Sequence, residues 1–338
     1  MTKHMTRFLS NVVAIPNRLT DKVGMYRLVT LSLLFILACS LMAGATGWLF
    51  YTVQAQLVAL GLALVIALPL NIICAKLWRV HANHESAIIT ALILFFLVSP
   101  KVVMGEDIAL MAATAIAIVS KYIVVYRKQH IFNAAAFGAV AVAASIWLYN
   151  IVSGSDYNTD IFGWWVANPV LVWPVLLTGI LIVSKIRRWA VVGTFIVVGL
   201  VVFLLESIRF EQPLWDSTWV YFLSYPTLFL AFFMLTEPFT MPPRKSHQIW
   251  YGGLVGALSS TALFAPYLAM TPELALVIGN LFAYTFRSRR KLFLKLLSKR
   301  EVATNTWEFT FTKPDNFNFE AGQYVEWMLP HKKKDSRG

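Results

Sequence analysis

Ten mostly apolar stretches run through the chain, at roughly residues 28–50, 55–76, 86–104, 108–126, 131–152, 167–185, 189–208, 218–238, 248–270 and 272–286. Nearly all approach the about 20 residues that an α-helix needs to cross a hydrocarbon core. In lipid the backbone polar groups have no water to bond, so a run of this kind has to bond its own backbone, as a helix does. Composition agrees: 58% of the 338 residues are apolar and 14% charged, against roughly 25% charged in a water-soluble domain. A soluble protein of this size has no means of hiding that much apolar surface. The fold class this predicts is an all-α polytopic membrane protein with ten transmembrane helices.

Charge placement gives the orientation. One side carries Lys3, Arg7, Arg18, Lys22 and Arg27, then Lys76 and Arg79, then Lys121, Arg127 and Lys128. It continues with Lys185, Arg187, Arg188, Arg244 and Lys245, and with Arg287, Arg289, Arg290, Lys291, Lys295, Lys299 and Arg300. The opposite loops hold Lys101 and Arg209 among the acids Glu106, Asp107, Asp156, Asp160, Glu206, Glu211 and Asp216. The expectation is a multi-pass plasma-membrane protein with both termini cytoplasmic. The net charge of +12 is then a topology signal, and it implies no nucleic-acid partner. Leu292, Phe293, Leu296 and Leu297, interleaved with basic residues, are expected to lie on the anionic inner leaflet. Cys39 and Cys74 both fall in apolar runs, which leaves neither a disulfide framework nor a cysteine-held iron–sulfur cluster.

A polar outer loop, Ser153 to Asp160, separates five runs from five. Five plus five in opposite orientation is the hydropathy pattern of two inverted five-helix repeats. Three polar patches interrupt the apolar runs. Lys128, His130 and Asn133 precede or open the fifth run, where helix N–H groups suit an anionic or carbonyl-bearing ligand; a plain helix cap is the simpler alternative. Glu237 and Thr240 sit at the proline-broken end of the eighth run, where an acid is costly unless it is paired or faces a cavity. Glu273 begins the tenth run, where it complements the helix dipole, and Asn280 lies deeper in it. Interhelical bonding accounts for each patch singly; together they predict a buried polar site. Among the residues no catalytic group and no metal site stands out.

The stretches KQHIFNAAAFG (128–138), FMLTEPFTMPP (233–243) and TPELALVIGN (271–280) resemble the membrane subunits shared by the sodium-pumping NADH:quinone reductase (NqrB) and the Rnf complex (RnfD). The resemblance extends over roughly residues 30–290. It implies ten helices in two inverted repeats, with non-covalent flavin (FMN or riboflavin) in the bundle and electrons carried across the membrane. The residues it points to are Lys128, His130, Asn133, Glu237, Thr240, Glu273 and Asn280. There are departures from the family: Ala134 stands where proline is usual after the asparagine, and the outer loop SGSDYNTDIFGWW lacks the threonine motif to which FMN is esterified. A string of that type, Ser40 to Thr46, lies near the end of the first run. Thr46 is the one candidate for a covalent flavin there, and small-residue helix packing is the plainer account.

Past Arg300, Trp307, Phe309 and Phe311 alternate with Glu308, Thr310 and Thr312, the period of a half-buried strand. Pro314-Asp315-Asn316 reads as a turn, and 324–329 as a second strand. The string FNFEAGQYVEWMLPH (317–331) resembles the opening of the FAD-binding barrel of ferredoxin-reductase-type domains. That family's arginine-bearing FAD segment and nicotinamide domain come later, so a fragment cut short within the barrel is expected. The domain division is 1–27, a basic cytoplasmic segment; 28–290, the ten-helix domain; 291–300, a basic juxtamembrane linker; and 301–338, an incomplete FAD-binding domain.

These readings predict a flavin-containing membrane oxidoreductase subunit, passing electrons from cytoplasmic NAD(P)H through an FAD module to an acceptor in or beyond the membrane. In full-length form it is expected to be a flavin-dependent NAD(P)H oxidoreductase, whereas the fragment is not expected to oxidise NAD(P)H itself. Its partners are the lipid bilayer, flavin, and other redox subunits or an extracytoplasmic acceptor. A haem-based reductase needs paired histidines at two depths. His4, His81, His84, His130, His247 and His331 all fall on or near the cytoplasmic side, so no haem is expected. The alternative is a small polar solute channel or carrier built on inverted repeats, against which the reductase-like tail speaks.

Overall fold

The computed structural model describes residues 23–313 apart from 101–103, 127–128, 156–160, 262–263, 266–267, 287–293 and 305. The described chain is mostly helical. The first half comprises α1 (Met25–Ala45), α2 (Val53–Leu77), α3 (His84–Leu97), α4 (Met104–Ile123) and α5 (Ala134–Ser153). The second half comprises α6 (Val172–Ile186), α7 (Trp189–Arg209), α8 (Leu214–Leu223), the short α9 (Thr227–Phe229), α10 (Lys245–Ser259) and α11 (Pro272–Thr285). A π-helical turn, Leu230–Met234, continues α9. Helix starts are set by local chemistry. Thr52, Asn83, Asn133 and Thr271 each accept a bond from the backbone N–H three residues on, at 3.0–3.3 Å, satisfying a donor the helix cannot.

By length and apolarity, four described helices suffice to cross a membrane: α1, α2, α5 and α7. The pair α8 and α9 with its π turn makes a fifth, bent by 48°. The bend falls at Ser224-Tyr225-Pro226, where proline withholds an N–H. α3 and α6 are shorter, at 14 and 15 residues. α3 stops before Ser99-Pro100. The stretch 162–171 ahead of α6 is irregular, and its Trp164 and Val166 amides bond to Leu97 and Phe96 carbonyls at the end of α3.

Several sequence expectations shift accordingly. The ninth apolar run does not stay helical to 270: α10 ends at Ser259, and Phe264–Ala265 (β3) pairs with Leu268–Ala269 (β4). The fourth and fifth runs are joined by another minimal pair, Val125–Tyr126 (β1) with Gln129–His130 (β2), so His130 precedes the helix. The tail expectation also changes. Leu296–Ala303 (β5) pairs antiparallel with Thr306–Phe311 (β6), so a strand begins within the stretch read as the 291–300 linker. The expected second strand at 324–329 lies outside the described residues, as do Arg287 to Phe293.

The two halves share a set of neighbours. α1 packs on α3 as α6 packs on α9 and its π turn; α2 packs on α3 and α4 as α7 packs on α8 and α10; α4 packs on α5 as α10 packs on α11. Across the halves, α1 meets α6 and α5 meets α11, so helices at the same place in each half touch one another. Close approach relies on missing side chains. At Gly138 a β-carbon would clash with the Ala113 carbonyl on α4, and at Gly252 it would come within 2.5 Å of the Val191 carbonyl on α7. Such small-residue contacts bring helix backbones together where water offers no driving force.

Candidate functional site

Four of the residues singled out in the sequence converge. The Asn133 side-chain amide donates to Glu237 Oε2 at 2.9 Å, and its backbone N–H donates to Asn280 Oδ1 at 2.7 Å. Thr240 Oγ donates to the same Glu237 oxygen at 3.3 Å. Asn280 Nδ2 donates to the Tyr251 hydroxyl at 3.0 Å and to the Thr240 carbonyl at 3.5 Å. The start of α5, the segment after the π turn, and the middle of α11 are thereby joined. Asn133, Thr240 and Asn280 are buried and Glu237 is half-buried. Asn280 lies five residues inside the end of α11, about 7–8 Å at helical rise, so the centre is set within the bundle.

The chemistry of this centre follows from what each group can do. Asn133 caps α5 with its side-chain oxygen and gives its amide to Glu237, which uses both ends of the group. The carboxylate stands at a helix N-terminus, where partial positive charge favours an anion. The same segments carry two ring pairs: the His130 ring meets Phe239 edge to face at 6.3 Å between centroids, and Phe132 stacks on Phe137 at 5.4 Å. Lys128 lies outside the described residues.

Glu273 stands apart. It is buried, and its Oε1 accepts from Trp164 Nε1 at 2.6 Å, two turns along α11 from Asn280. Trp164 has a left-handed backbone, φ +47°, uncommon for a bulky residue. Its amide bond to Leu97 at 2.9 Å and the Glu273 bond hold it there. The expectation of a single site including Glu273 therefore resolves into two polar centres, one at Asn133 and one at Glu273.

Thr46 follows the last residue of α1, and its hydroxyl donates to the Met42 and Ala43 carbonyls at 3.0 and 3.2 Å. The small residues before it serve packing: Ser40 Oγ donates to Gln56 Oε1 at 2.9 Å, and a β-carbon at Gly44 would come within 2.7 Å of Gln56 Nε2.

Three buried or inward-facing residues escaped the sequence reading. Tyr251 is a plain aromatic in an apolar run, yet it is fully buried and bonded to Asn280. Lys121 reads as one more positive charge on the cytoplasmic side, yet its Nζ donates to the Ser86 carbonyl at 2.7 Å and to Ser86 Oγ at 2.8 Å. Trp164 sits in the outer loop sequence, with no signal beyond its neighbour Trp165. Among the described residues no cluster of histidine, cysteine and acids is arranged to hold a metal ion.

A family model described as the NQR2, RnfD, RnfE family matches residues 157–291. The match takes in Glu237, Thr240, Glu273 and Asn280 and begins after the 128–138 stretch. No curated protein matches the chain.

Proposed function

We propose that this chain, a membrane protein similar over its second half to the NQR2, RnfD, RnfE family, is a membrane subunit of a redox complex that carries electrons across the bilayer through a non-covalent flavin. The observation that carries the reading is the convergence of Asn133, Glu237, Thr240 and Asn280, from both halves of the chain, in one polar centre inside an apolar bundle. Polar groups so placed are expensive in lipid and mark functional sites. The shared helix neighbours of the two halves support the inverted-repeat architecture.

The residues present suit the ring of a flavin better than its phosphate. Glu237 already stands where an anion is favoured, at the start of α5. Amide, hydroxyl and carboxylate groups, on segments that also carry the His130–Phe239 and Phe132–Phe137 ring pairs, suit a flat heteroaromatic with carbonyl edges. A flavin bound there takes up and releases one or two electrons. The chain's residues would orient it and set the local field, with Asn133 and Asn280 held in place by their bonds to Glu237, Tyr251 and the Thr240 carbonyl and Glu237 as the acid of the site. The C-terminal β5–β6 hairpin belongs, in this reading, to an FAD-binding module that delivers electrons from cytoplasmic NAD(P)H.

Reconstitution tests this. The purified chain is placed in vesicles holding ferricyanide, and membrane-impermeant dithionite is added outside. Electron transfer predicts loss of the trapped ferricyanide colour, abolished by Asn133→Leu. Colour that persists as in protein-free vesicles would favour the solute-carrier reading.

A further inference from the structure

The order of hydrogen bonds inside the Asn133 centre is set by chemistry as well as by distance. A backbone N–H can only donate, so the Asn280 atom 2.7 Å from the Asn133 N–H is the side-chain oxygen. That choice turns the Asn280 amide nitrogen the other way, to the Tyr251 hydroxyl at 3.0 Å and the Thr240 carbonyl at 3.5 Å. Both of its donors are spent inside the protein. Asn280 and Tyr251 are each 0% exposed, whereas Glu237 is half-buried. A ligand at this centre meets Glu237 and has no path to Asn280 or Tyr251.

Tyr251 is itself seated by a close approach of α10 and α11. A β-carbon at Gly279 would come within 3.1 Å of Tyr251 Cε2 and 2.2 Å of Val255 Cγ2. Asn280 is the next residue, so the contact that seats the ring also brings the amide to its hydroxyl. At the other end, the Asn133 N–H belongs to the first turn of α5, whose donors have no partner within the helix. We infer that Tyr251 and Asn280 are positioning residues for the Asn133 centre: Tyr251 fixes the Asn280 amide, Asn280 fixes the start of α5, and the Asn133 side chain is thereby presented to Glu237. Only the consequence for ligand affinity rests on the flavin reading.

The test is Tyr251→Phe, which removes the accepting hydroxyl and keeps the ring, in the full chain in detergent with isotope-labelled asparagine. The Asn133 backbone amide is read by NMR and assigned by its loss in Asn133→Ser. A short hydrogen bond draws an amide proton resonance downfield, and Tyr251→Phe is expected to move it back upfield. In an Asn280→Leu background the same substitution adds no further movement, because Tyr251 acts through Asn280. An unmoved resonance, or an equal movement in both backgrounds, would overturn the inference. If Tyr251→Phe does not fold, hydrogen exchange in the wild-type chain decides. The Asn280 side-chain amide then exchanges about a hundredfold more slowly than an exposed one, and exchange at the exposed rate overturns the inference.

For the ligand, riboflavin is titrated into the same variants. Tyr251→Phe weakens binding about tenfold, the effect of one misplaced hydrogen bond, and adds nothing in the Asn280→Leu background. Unchanged affinity beside a moved resonance would remove the ligand clause. A wild-type chain that binds no flavin would refute the proposed function, while the Asn133 resonance would still decide the positioning roles.

Discussion

The Asn133 side-chain amide donates to Glu237 across the two halves of the chain, 104 residues apart in sequence and 2.9 Å apart in space. This contact ties the start of α5 to the end of the broken eighth run. It also separates two roles of one residue, since Asn133 is at once a helix cap and the partner of a carboxylate. Aspartate caps a helix as well as asparagine does, but beside Glu237 it adds a like charge. Asn133→Ala is expected to cost about 1–3 kcal/mol, from the lost cap and the lost bond to a charged group. Asn133→Asp is expected to cost at least as much, measured as loss of unfolding free energy in detergent. A neutral Asn133→Asp would mean that the residue acts as a cap alone.

The second centre yields a coupling energy. Trp164 Nε1 and Glu273 Oε1 meet at 2.6 Å inside the bundle. A double-mutant cycle with Trp164→Phe and Glu273→Gln is expected to give about 1.5–3 kcal/mol, the range for hydrogen bonds to charged groups. A coupling near zero would show that the bond is not formed in the membrane protein.

Neighbouring glycines on α10 are expected to behave oppositely. A β-carbon at Gly252 would come within 2.5 Å of the Val191 carbonyl, whereas one at Gly253 comes no closer than 3.7 Å to Val198 Cγ2. Gly252→Ala should destabilise by about 1–3 kcal/mol through forced separation of α7 and α10. Gly253→Ala should be neutral or stabilising by up to about 1 kcal/mol, because alanine is the better helix former. Melting curves of the two variants side by side check this.

Orientation can be read by labelling. With Cys39 and Cys74 replaced by serine, single cysteines are introduced at Trp48 and at Val80, which are 77% and 51% exposed. They sit at opposite ends of α2, after α1 and before α3. The basic-residue pattern predicts that an impermeant maleimide added to intact cells labels position 48, and that position 80 is labelled after the membrane is opened. The reverse pattern would invert the assigned topology.

Most helices were legible in the sequence because they lie in apolar runs bounded by polar punctuation, and a helix start near Asn133 was legible as the simpler account of its patch; ten spans were more than the described residues bear out, since four helices, or five with the bent pair, are long and apolar enough to cross. The bend after α8 was not: Pro226 sits in an otherwise continuous apolar run, and only packing shows that the chain turns there and resumes with a π turn. The Asn133 centre was legible as three separate patches, since polar groups in apolar sequence stand out. Their contact was not, because it depends on which helices become neighbours. Glu273 was grouped with the wrong partners for the same reason: seven residues of helix carry it about 10 Å from Asn280, to Trp164. Lys121 was hidden by its setting. Among so many basic residues on one side its charge looked like a topology signal, and only its bonds to Ser86 show that it points inward. The tail strand was read from the alternation of Trp307, Phe309 and Phe311, but its partner was not, since Leu296–Ala303 has no clean alternation of its own.

The most direct test of the flavin centre is the visible absorbance of the purified chain before and after acid precipitation. The account predicts flavin bands in the folded protein, yellow colour released to the supernatant by acid, and loss of those bands in a folded Asn133→Leu variant. A folded wild-type chain without colour, or colour that stays with the acid pellet, would contradict it.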